Sequence, residues 1–231
     1  MPAVRGFDLC VGANEFVSIL GPSGCGKSTV LMMIAGLVRP TAGRLNVAGT
    51  PVDGPRHDYG IVFQTPVLLP WRTVLDNVLL PVEMRGENTR EYTPRAIELL
   101  KTANIADFQD RLPRELSGGM RQRAGICRAL IHNPSILLMD EPFSALDALT
   151  RDEMNVELLK LWERDRKTVV FVTHSINEAV LLSDRVVVMS PRPSVIIEDV
   201  KIDLPRPRSE KIQESKEFVA LCAHLRRLIT R

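Results

Sequence analysis

The 231-residue sequence contains no hydrophobic run long enough to cross a membrane. The longest candidate, residues 30–38, includes a glycine and ends at Arg39 and Pro40, whereas a spanning helix needs roughly 20 apolar residues. Residues 1–10 lack the apolar stretch of a signal peptide. We therefore expect a cytosolic protein that reaches a membrane only through a partner.

The sequence also has little net charge and few cysteines. Lys and Arg number 30 against 28 Asp and Glu, which leaves a net charge of +2. So small an excess gives no support for a nucleic-acid-binding surface or a polybasic membrane anchor. The four cysteines are widely scattered, with no metal-site spacing, which favours free thiols over a disulfide framework; they are Cys10, Cys25, Cys127 and Cys222.

Short apolar runs alternate with helical patterns along most of the chain. The runs are apolar on both faces, as in a sheet covered by helices on each side. They lie at 16–20, 59–63, 136–139, 169–173 and 185–189. The helical patterns lie at 27–35, 93–103, 119–132 and 152–164. This alternation predicts an α/β fold with a largely parallel sheet.

We expect a single domain over residues 1–231 with a helical insertion. Residues 65–133 show no strand pattern and are interpreted as a helical lobe, inserted into an α/β core of residues 1–64 and 134–203. The proline-rich segment 204–208 is typical of a linker. Apolar residues at helical spacing over 218–229 predict a C-terminal helix packed on the core, with a partner-binding helix as the alternative.

A glycine-rich motif, GxxxxGK[ST], lies between the first predicted strand and the first predicted helix. This context is that of a phosphate-binding loop rather than an ordinary turn. Glycines let backbone N–H groups point at phosphate oxygens, and the helix start adds its positive dipole end. Lys27 would reach the outer phosphates, and the Ser28 hydroxyl would bind Mg²⁺. The expected nucleotide-binding residues are Gly21, Pro22, Ser23, Gly24, Cys25, Gly26, Lys27, Ser28 and Thr29.

Two adjacent carboxylates follow the apolar run at 136–139. Ligands of open α/β sheets bind beyond the carboxyl ends of strands, so Asp140 and Glu141 are well placed to act on a bound nucleotide. We expect Asp140 to hold Mg²⁺, through water, and Glu141 to orient or deprotonate the attacking water. The alternative is a solvated acidic loop.

The sequence Leu-Ser-Gly-Gly-Met at 116–120 resembles the LSGGQ signature of the ABC ATPase family. The resemblance implies a P-loop NTPase (RecA-like) core and ATP with Mg²⁺ as cofactors. In the family this site contacts the γ-phosphate held by the other subunit. It therefore implies a homodimer in which Ser117, Gly118 and Gly119 complete the partner's ATP site. An ordinary helix cap would explain Ser117 but not the two glycines.

Three further residues match family motifs in the family's order. Gln64 matches the Q-loop, which contacts Mg²⁺ or the attacking water. Asp147 ends the D-loop, residues 144–147, which crosses the dimer interface. His174 matches the switch histidine, which reaches the γ-phosphate. The other histidines, His57, His132 and His224, are expected to be structural.

Segments 68–77, 190–193 and 203–208 resemble the nitrate/sulfonate/taurine subgroup of importer ATPases. That resemblance implies uptake of a small anion and a peripheral location on the cytoplasmic face of the inner membrane. It also implies integral-membrane permease partners and, indirectly, a periplasmic solute-binding protein. Trp71 would line a groove for the permease, or pack in the helical lobe, or do both. The solute itself is not readable, because this subunit does not touch it.

The chain departs from the family pattern in two places. The aromatic residue that stacks on adenine in the family would fall at or before Met1, and Phe7 is not an obvious substitute. Ser175 stands where the family usually has an aspartate after the switch histidine. We expect weaker adenine binding from the first departure and make no prediction for the second.

Three other classes of ABC protein agree less well with the sequence. DNA-repair and chromosome ATPases need long heptad arms, and this chain has none. Translation-associated members usually carry two cassettes and a basic linker, whereas this chain has one cassette. A non-catalytic scaffold is disfavoured by the presence of Glu141, His174 and Gln64. We therefore expect no nucleic-acid partner.

Overall fold

A computed structural model describes residues 3–144 and 146–230. The strands are β1 (Phe16–Leu20), β2 (Asn46–Val47), β3 (Thr50–Pro51), β4 (Tyr59–Val62), β5 (Ile136–Asp140), β6 (Thr168–Thr173), β7 (Arg185–Met189) and β8 (Ile196–Lys201). The α-helices are α1 (Lys27–Ile34), α2 (Val74–Met84), α3 (Thr89–Thr102), α4 (Gly118–Leu130), α5 (Ala148–Arg164), α6 (Ile176–Leu182) and α7 (Lys216–Ile229). Short 3-10 helices lie at Ala106–Phe108, Pro113–Glu115 and Glu210–Glu214.

Six strands form one sheet in the order β4-β5-β6-β1-β7-β8, and β2 and β3 form a separate hairpin. All neighbours in the large sheet are parallel except β7 and β8. Every residue of β1 is buried, as are most residues of β5, β6 and β7. The predicted α/β fold with a largely parallel sheet is confirmed.

The strand register places four loops at one edge of the sheet. Leu20 at the end of β1 pairs with Thr173 at the end of β6. Asp140 at the end of β5 pairs with Val172, and Val62 at the end of β4 pairs with Met139. The segments that follow β4, β5, β6 and β1 therefore leave the sheet side by side, which is where open α/β sheets bind ligands.

The structure adds elements that the sequence patterns did not identify. β8 has the sequence IIEDVK and lies at the sheet edge with only Val200 buried, so it lacks the apolar run of the central strands. The hairpin strands have only two residues each. Helices α2 and α6 were also not assigned, and α3 and α5 begin four residues earlier than predicted, directly after the capping residues Asn88 and Asp147.

The chain between β4 and β5 forms only helices and turns, and α2, α3 and α4 share an apolar cluster of their own. The turn that precedes α2 is held by the buried Asn77. Its side-chain amide donates to the carbonyls of Leu69, Arg72 and Thr73, and its oxygen accepts from the Leu69 N–H. This frame fixes a loop on which Trp71 is 72% exposed.

The proline-rich segment 204–208 is attached to the core and is not a free linker. The Arg208 side chain is 5% exposed, and its guanidinium donates to carbonyls at the end of α6 and after β8. Arg206 pairs with Asp184 at 2.8 Å and lies 4.2 Å above the ring of Trp162. Composition alone marks such a stretch as irregular and does not reveal these contacts.

Candidate functional site

The glycine-rich loop between β1 and α1 has the backbone geometry of an anion-binding nest. Gly24 has φ +76° and Gly26 has φ +113°, a region that favours glycine. The N–H groups of Gly24, Gly26 and Lys27 donate to no acceptor among the residues that the structure describes. Free donors at the start of a helix suit a phosphate group, so this loop fits the polyphosphate of a nucleotide.

Lys27 lies between this loop and the carboxylate of Glu141. Its side chain is 4% exposed, and its ammonium donates to the carbonyls of Gly21 at 2.9 Å and Pro22 at 3.1 Å. The same nitrogen lies 3.5 Å from Glu141 Oε1. The start of α1 and the end of β5 thus place opposite charges close together.

Ser28 and Asp140 form the oxygen-rich part of the site. Ser28 Oγ donates to Asp140 Oδ1 at 2.9 Å. Burial raises the pKa of Asp140, and the hydrogen bond from Ser28 opposes that shift. A hydroxyl and a poorly hydrated carboxylate are oxygen ligands of the kind that Mg²⁺ takes. Two of the three predicted metal residues, Ser28 and Asp140, therefore fit the ion, and the third, Gln64, lies outside this contact.

Glu141 and His174 meet across the ends of β5 and β6. Glu141 has φ +41°, which is uncommon for a residue with a side chain and is often found at functional sites. Its N–H donates to the carbonyl of Val172. Its Oε2 lies 2.9 Å from His174 Nδ1. The unusual backbone turn thus directs the carboxylate at both Lys27 and His174.

Gln64 is not part of this cluster. It is exposed, and its Nε2 lies 3.5 Å from Ser144 Oγ. Within residues 3–144 and 146–230, Gln64 makes no hydrogen bond to Ser28, Asp140 or Glu141. The register does place it next to these residues, because β4 is the neighbour of β5.

The signature residues also lie apart from the phosphate loop. Ser117 caps α4 by accepting from the N–H of Met120, and Ser117 and Gly118 are exposed. A Cβ on Gly119 would lie 3.2 Å from Thr150, which is also the residue that Asp147 caps at the start of α5. The start of α4, which carries the signature, thus lies next to the start of α5, which follows the D-loop, within one chain. Ala145, within the D-loop, lies outside the described residues.

Comparison with known proteins identifies this arrangement. A family model described as "ABC transporter" matches residues 4–144. The chain belongs to the ABC transporter family of ATP-binding proteins. Members of this family are ATPases that hydrolyse ATP to power transport, and the chain is an ABC ATPase subunit.

Similar ABC proteins match most of the chain. An uncharacterized ABC transporter ATP-binding protein of Methanocaldococcus jannaschii is 50% identical over 216 residues, which cover 94% of this chain and 81% of that protein. The taurine import ATP-binding protein TauB of Rhizobium johnstonii is 47% identical over 219 residues, covering 93% and 84%.

A solved structure gives the same assignment. An ATP-binding cassette described as a dimeric post-hydrolysis state bound to ADP and Pi is 37% identical and has a TM-score of 0.78. The match covers 88% of this chain and 92% of that one.

The sequence did not predict the contacts behind Glu141 and His174 in this ABC ATPase. Ser175 accepts from the N–H of Glu178 and so caps α6. The Glu178 carboxylate accepts from Thr173 Oγ1 at 2.6 Å, and that hydroxyl accepts from the Ser175 N–H at 2.9 Å. The spacing S-x-x-E at 175–178 is a capping-box signal that could have revealed them.

The N-terminal segment of the ABC ATPase packs beside the phosphate loop. Val4 forms a parallel bridge with Ser194, and Ser194 Oγ lies within hydrogen-bonding distance of the Ala3 and Cys25 carbonyls. Phe7 is partly buried and packs against an apolar core cluster, in line with its not being an obvious adenine-stacking residue. The family's aromatic position, at or before Met1, lies outside the described residues.

Proposed function

We propose that this ABC ATPase energises an importer by closing two copies around ATP. The observation that carries the proposal is one cluster centred on Glu141, whose carboxylate lies 3.5 Å from the Lys27 ammonium and 2.9 Å from His174 Nδ1. Phosphoryl transfer depends mainly on positioning and charge stabilisation, and this cluster provides both.

Each side chain has a distinct role in the proposal. The free N–H groups of the loop over residues 21–29 and the Lys27 ammonium bind the phosphates. Glu141 orients the attacking water and accepts its proton, while His174 holds the Glu141 carboxylate and contacts the γ-phosphate. The contacts of Glu141 with Lys27 and His174 hold these groups near one another before ATP binds, which favours electrostatic stabilisation of the reaction.

Magnesium would be held by Ser28 and by Asp140 through water, with Gln64 approaching when the site closes. When bound, it would neutralise negative charge on the phosphate oxygens. The contact between Ser28 and Asp140 already places the two required oxygens together. Gln64 lies outside this contact, so its role needs a movement of the loop after β4.

The second half of each site would come from the partner subunit. Ser117 and Gly118 are exposed at the start of α4, Gly119 is partly buried, and within the described residues none of the three forms a hydrogen bond with the phosphate loop of its own chain. A homodimer would bring them to the γ-phosphate on the partner, with Asp147 at the interface. The helical lobe, residues 65–133, would carry them toward or away from the core of residues 1–64 and 134–203.

A glutamate pair tests the catalytic assignment. Glu141→Gln should bind ATP and stay dimeric, with phosphate release reduced about 100-fold or more. Glu198→Gln is the matched control, because Glu198 also lies 2.9 Å from a histidine, His224, but on β8 away from the cluster. Normal hydrolysis by Glu141→Gln would overturn the assignment of the base.

Mixing two inactive variants tests the composite site. Lys27→Ala removes the phosphate loop's cation, and Ser117→Arg blocks the signature. If each site combines Lys27 of one subunit with Ser117 of the other, a heterodimer of the two variants retains one intact site. ATPase activity should then appear on mixing. No recovery in a mixture shown to contain heterodimers would contradict the shared site.

The import substrate is proposed to be taurine or a related small anion, such as another sulfonate or nitrate. The support is the resemblance of segments 68–77, 190–193 and 203–208 to that subgroup, together with the relatives named as taurine import proteins. The described residues include no helix suited to spanning a membrane. We propose a peripheral position on the cytoplasmic face of the inner membrane, bound to permease subunits that work with a periplasmic solute-binding protein.

Reconstitution tests the transport role. The chain is combined with candidate permease and solute-binding proteins from the same organism. Uptake of labelled taurine, another sulfonate and nitrate is then measured with wild-type and Glu141→Gln subunits. ATP-dependent uptake of one of these anions supports the proposal. Uptake of an unrelated solute would overturn the substrate class while leaving the ATPase assignment intact.

A further inference from the structure

Two charged side chains next to the catalytic cluster have no role in the hydrolysis described above. They are Arg151 on α5 and Glu178 on α6. We propose that they are a positioning pair that links the D-loop to the switch histidine, His174. This inference rests on the proposed function, because it explains how closure at the dimer interface would reach the reacting groups.

Arg151 holds the end of the D-loop. Its Nη2 donates to the carbonyl of Leu146 at 2.7 Å, and its backbone N–H donates to the carbonyl of Asp147 at 2.9 Å. Asp147 in turn caps α5 through Thr150. A displacement of the D-loop therefore moves the Arg151 side chain with it.

The other side of the Arg151 guanidinium faces Glu178. Arg151 Nε lies 3.7 Å from Glu178 Oε1, and Glu178 is 6% exposed. Among the described residues, Arg151 is the one arginine or lysine within 4 Å of this carboxylate. A carboxylate so far removed from water depends strongly on its few partners, so the two side chains are expected to move together.

Glu178 is connected by hydrogen bonds to the residues on either side of His174. Its second oxygen accepts from Thr173 Oγ1, and the same hydroxyl accepts from the N–H of Ser175. Thr173 and Ser175 flank His174 directly, and the ring of His174 contacts Glu141. The contacts thus connect the D-loop to the proposed base, and the step between Arg151 and Glu178 is an ion pair at 3.7 Å rather than a hydrogen bond.

The phosphate loop and the Arg151–Glu178 pair should therefore affect different kinetic constants. ATP binds through the loop over residues 21–29, which this pair does not touch. The pair acts on the placement of His174 relative to Glu141, where a displacement of about 1 Å can cost about 100-fold in rate. Loss of the pair should therefore lower kcat and leave the KM for ATP nearly unchanged.

Three variants test the pair: Arg151→Gln, Glu178→Gln and the double variant. Each single variant should lower kcat about tenfold to 100-fold, with little change in KM. The singles should also unfold at lower urea concentration, because one charge is left unpaired in a poorly hydrated site. The double variant removes both charges and should recover stability but not kcat. Recovery of kcat together with stability, or full kcat in the singles, would overturn the proposal.

Two further variants complete the design. Arg151→Lys keeps the charge but replaces the two-pronged guanidinium by one nitrogen, so it should fold normally and still show reduced kcat; normal kcat would count against the link. Lys160→Gln is the control on the same helix, since Lys160 makes only an exposed pair with Glu157 among the described residues, and its kcat should equal that of wild type.

Glu141→Gln separates the two proposals. If it is inactive while the Arg151 and Glu178 variants have full kcat, this inference alone fails; if it is active, the proposed function fails.

Discussion

Ser28 and Asp140 are 112 positions apart in the sequence and form a hydrogen bond of 2.9 Å. One residue lies in the first turn of α1 and the other at the end of β5. The bond joins the phosphate loop to the carboxylate strand and defines where a magnesium ion would be held. It also shows that the phosphate loop and the carboxylate strand already meet within the single chain.

The first prediction concerns Asp140→Asn. Asparagine keeps the shape and can still accept from Ser28, but it lacks the charge that would hold Mg²⁺ through water. We expect the Mg²⁺ concentration for half-maximal ATPase activity to rise about tenfold to 100-fold, as measured by Mg²⁺ titration of phosphate release. Because burial raises the pKa of Asp140, removing its charge should leave the free energy of unfolding unchanged or higher. An unchanged Mg²⁺ requirement would contradict the assignment.

The second prediction explains the unusual Ser175. Ser175 caps α6 through the N–H of Glu178, and aspartate caps a helix about as well as serine. Ser175→Asp should therefore keep wild-type kcat and stability. Ser175→Ala removes the cap and should cost about 1 kcal/mol, measured by urea unfolding. A large loss of kcat in Ser175→Asp would show that the serine has a chemical role.

The third prediction concerns Arg208. Burial lowers the pKa of this guanidinium to about 10, yet its N–H groups donate to carbonyls of α6 and of the segment after β8. Arg208→Ala would leave those buried acceptors unsatisfied, so the free energy of unfolding should fall by about 3 kcal/mol. Arg227→Ala, on the exposed side of α7, is the control and should change it by less than about 0.5 kcal/mol. Equal effects would mean that the segment 204–208 is not an anchor.

The fourth prediction is a pH dependence of stability that arises from His132. Its Nε2 donates to the carbonyl of Tyr59 at 3.0 Å, and burial lowers its pKa from the ordinary value of 6.5. Below pH 6.5 the unfolded chain therefore takes up this proton more readily than the folded chain. The free energy of unfolding should fall as the pH decreases from about 6.5 toward the folded pKa.

Urea unfolding of wild type and His132→Gln at several values of pH between 7.5 and 5 measures this effect. The variant should lose less stability over that range than wild type. His57→Gln, at an exposed position, controls for the removal of a histidine. Identical pH profiles for wild type and His132→Gln would contradict the prediction.

Much of the fold could be predicted because the central strands are buried on both faces. β1 and β7 have the predicted bounds, and β4, β5 and β6 differ by one residue at one end each. β8 was missed because an edge strand has one neighbour and carries polar side chains. The helix starts were predicted less well, because they depend on capping residues such as Asn88 and Asp147, which lie outside the apolar pattern.

The sequence by itself determined which residue types are available to bind phosphate and Mg²⁺. The phosphate loop, the carboxylates after β5 and the signature are short contiguous motifs that can be recognised without the fold. Only the tertiary structure decided which of these residues meet. Parallel register brings together the segments that follow β1, β5 and β6, so that Glu141 contacts both Lys27 and His174, while Ser117 and Gln64 stay outside the cluster. It also supplies the contacts of Arg151 with the buried carboxylate of Glu178 and of Arg208 with the carbonyl of Ser183, which are distant in sequence. Such contacts depend on how helices and strands pack, and no local pattern of residues encodes them.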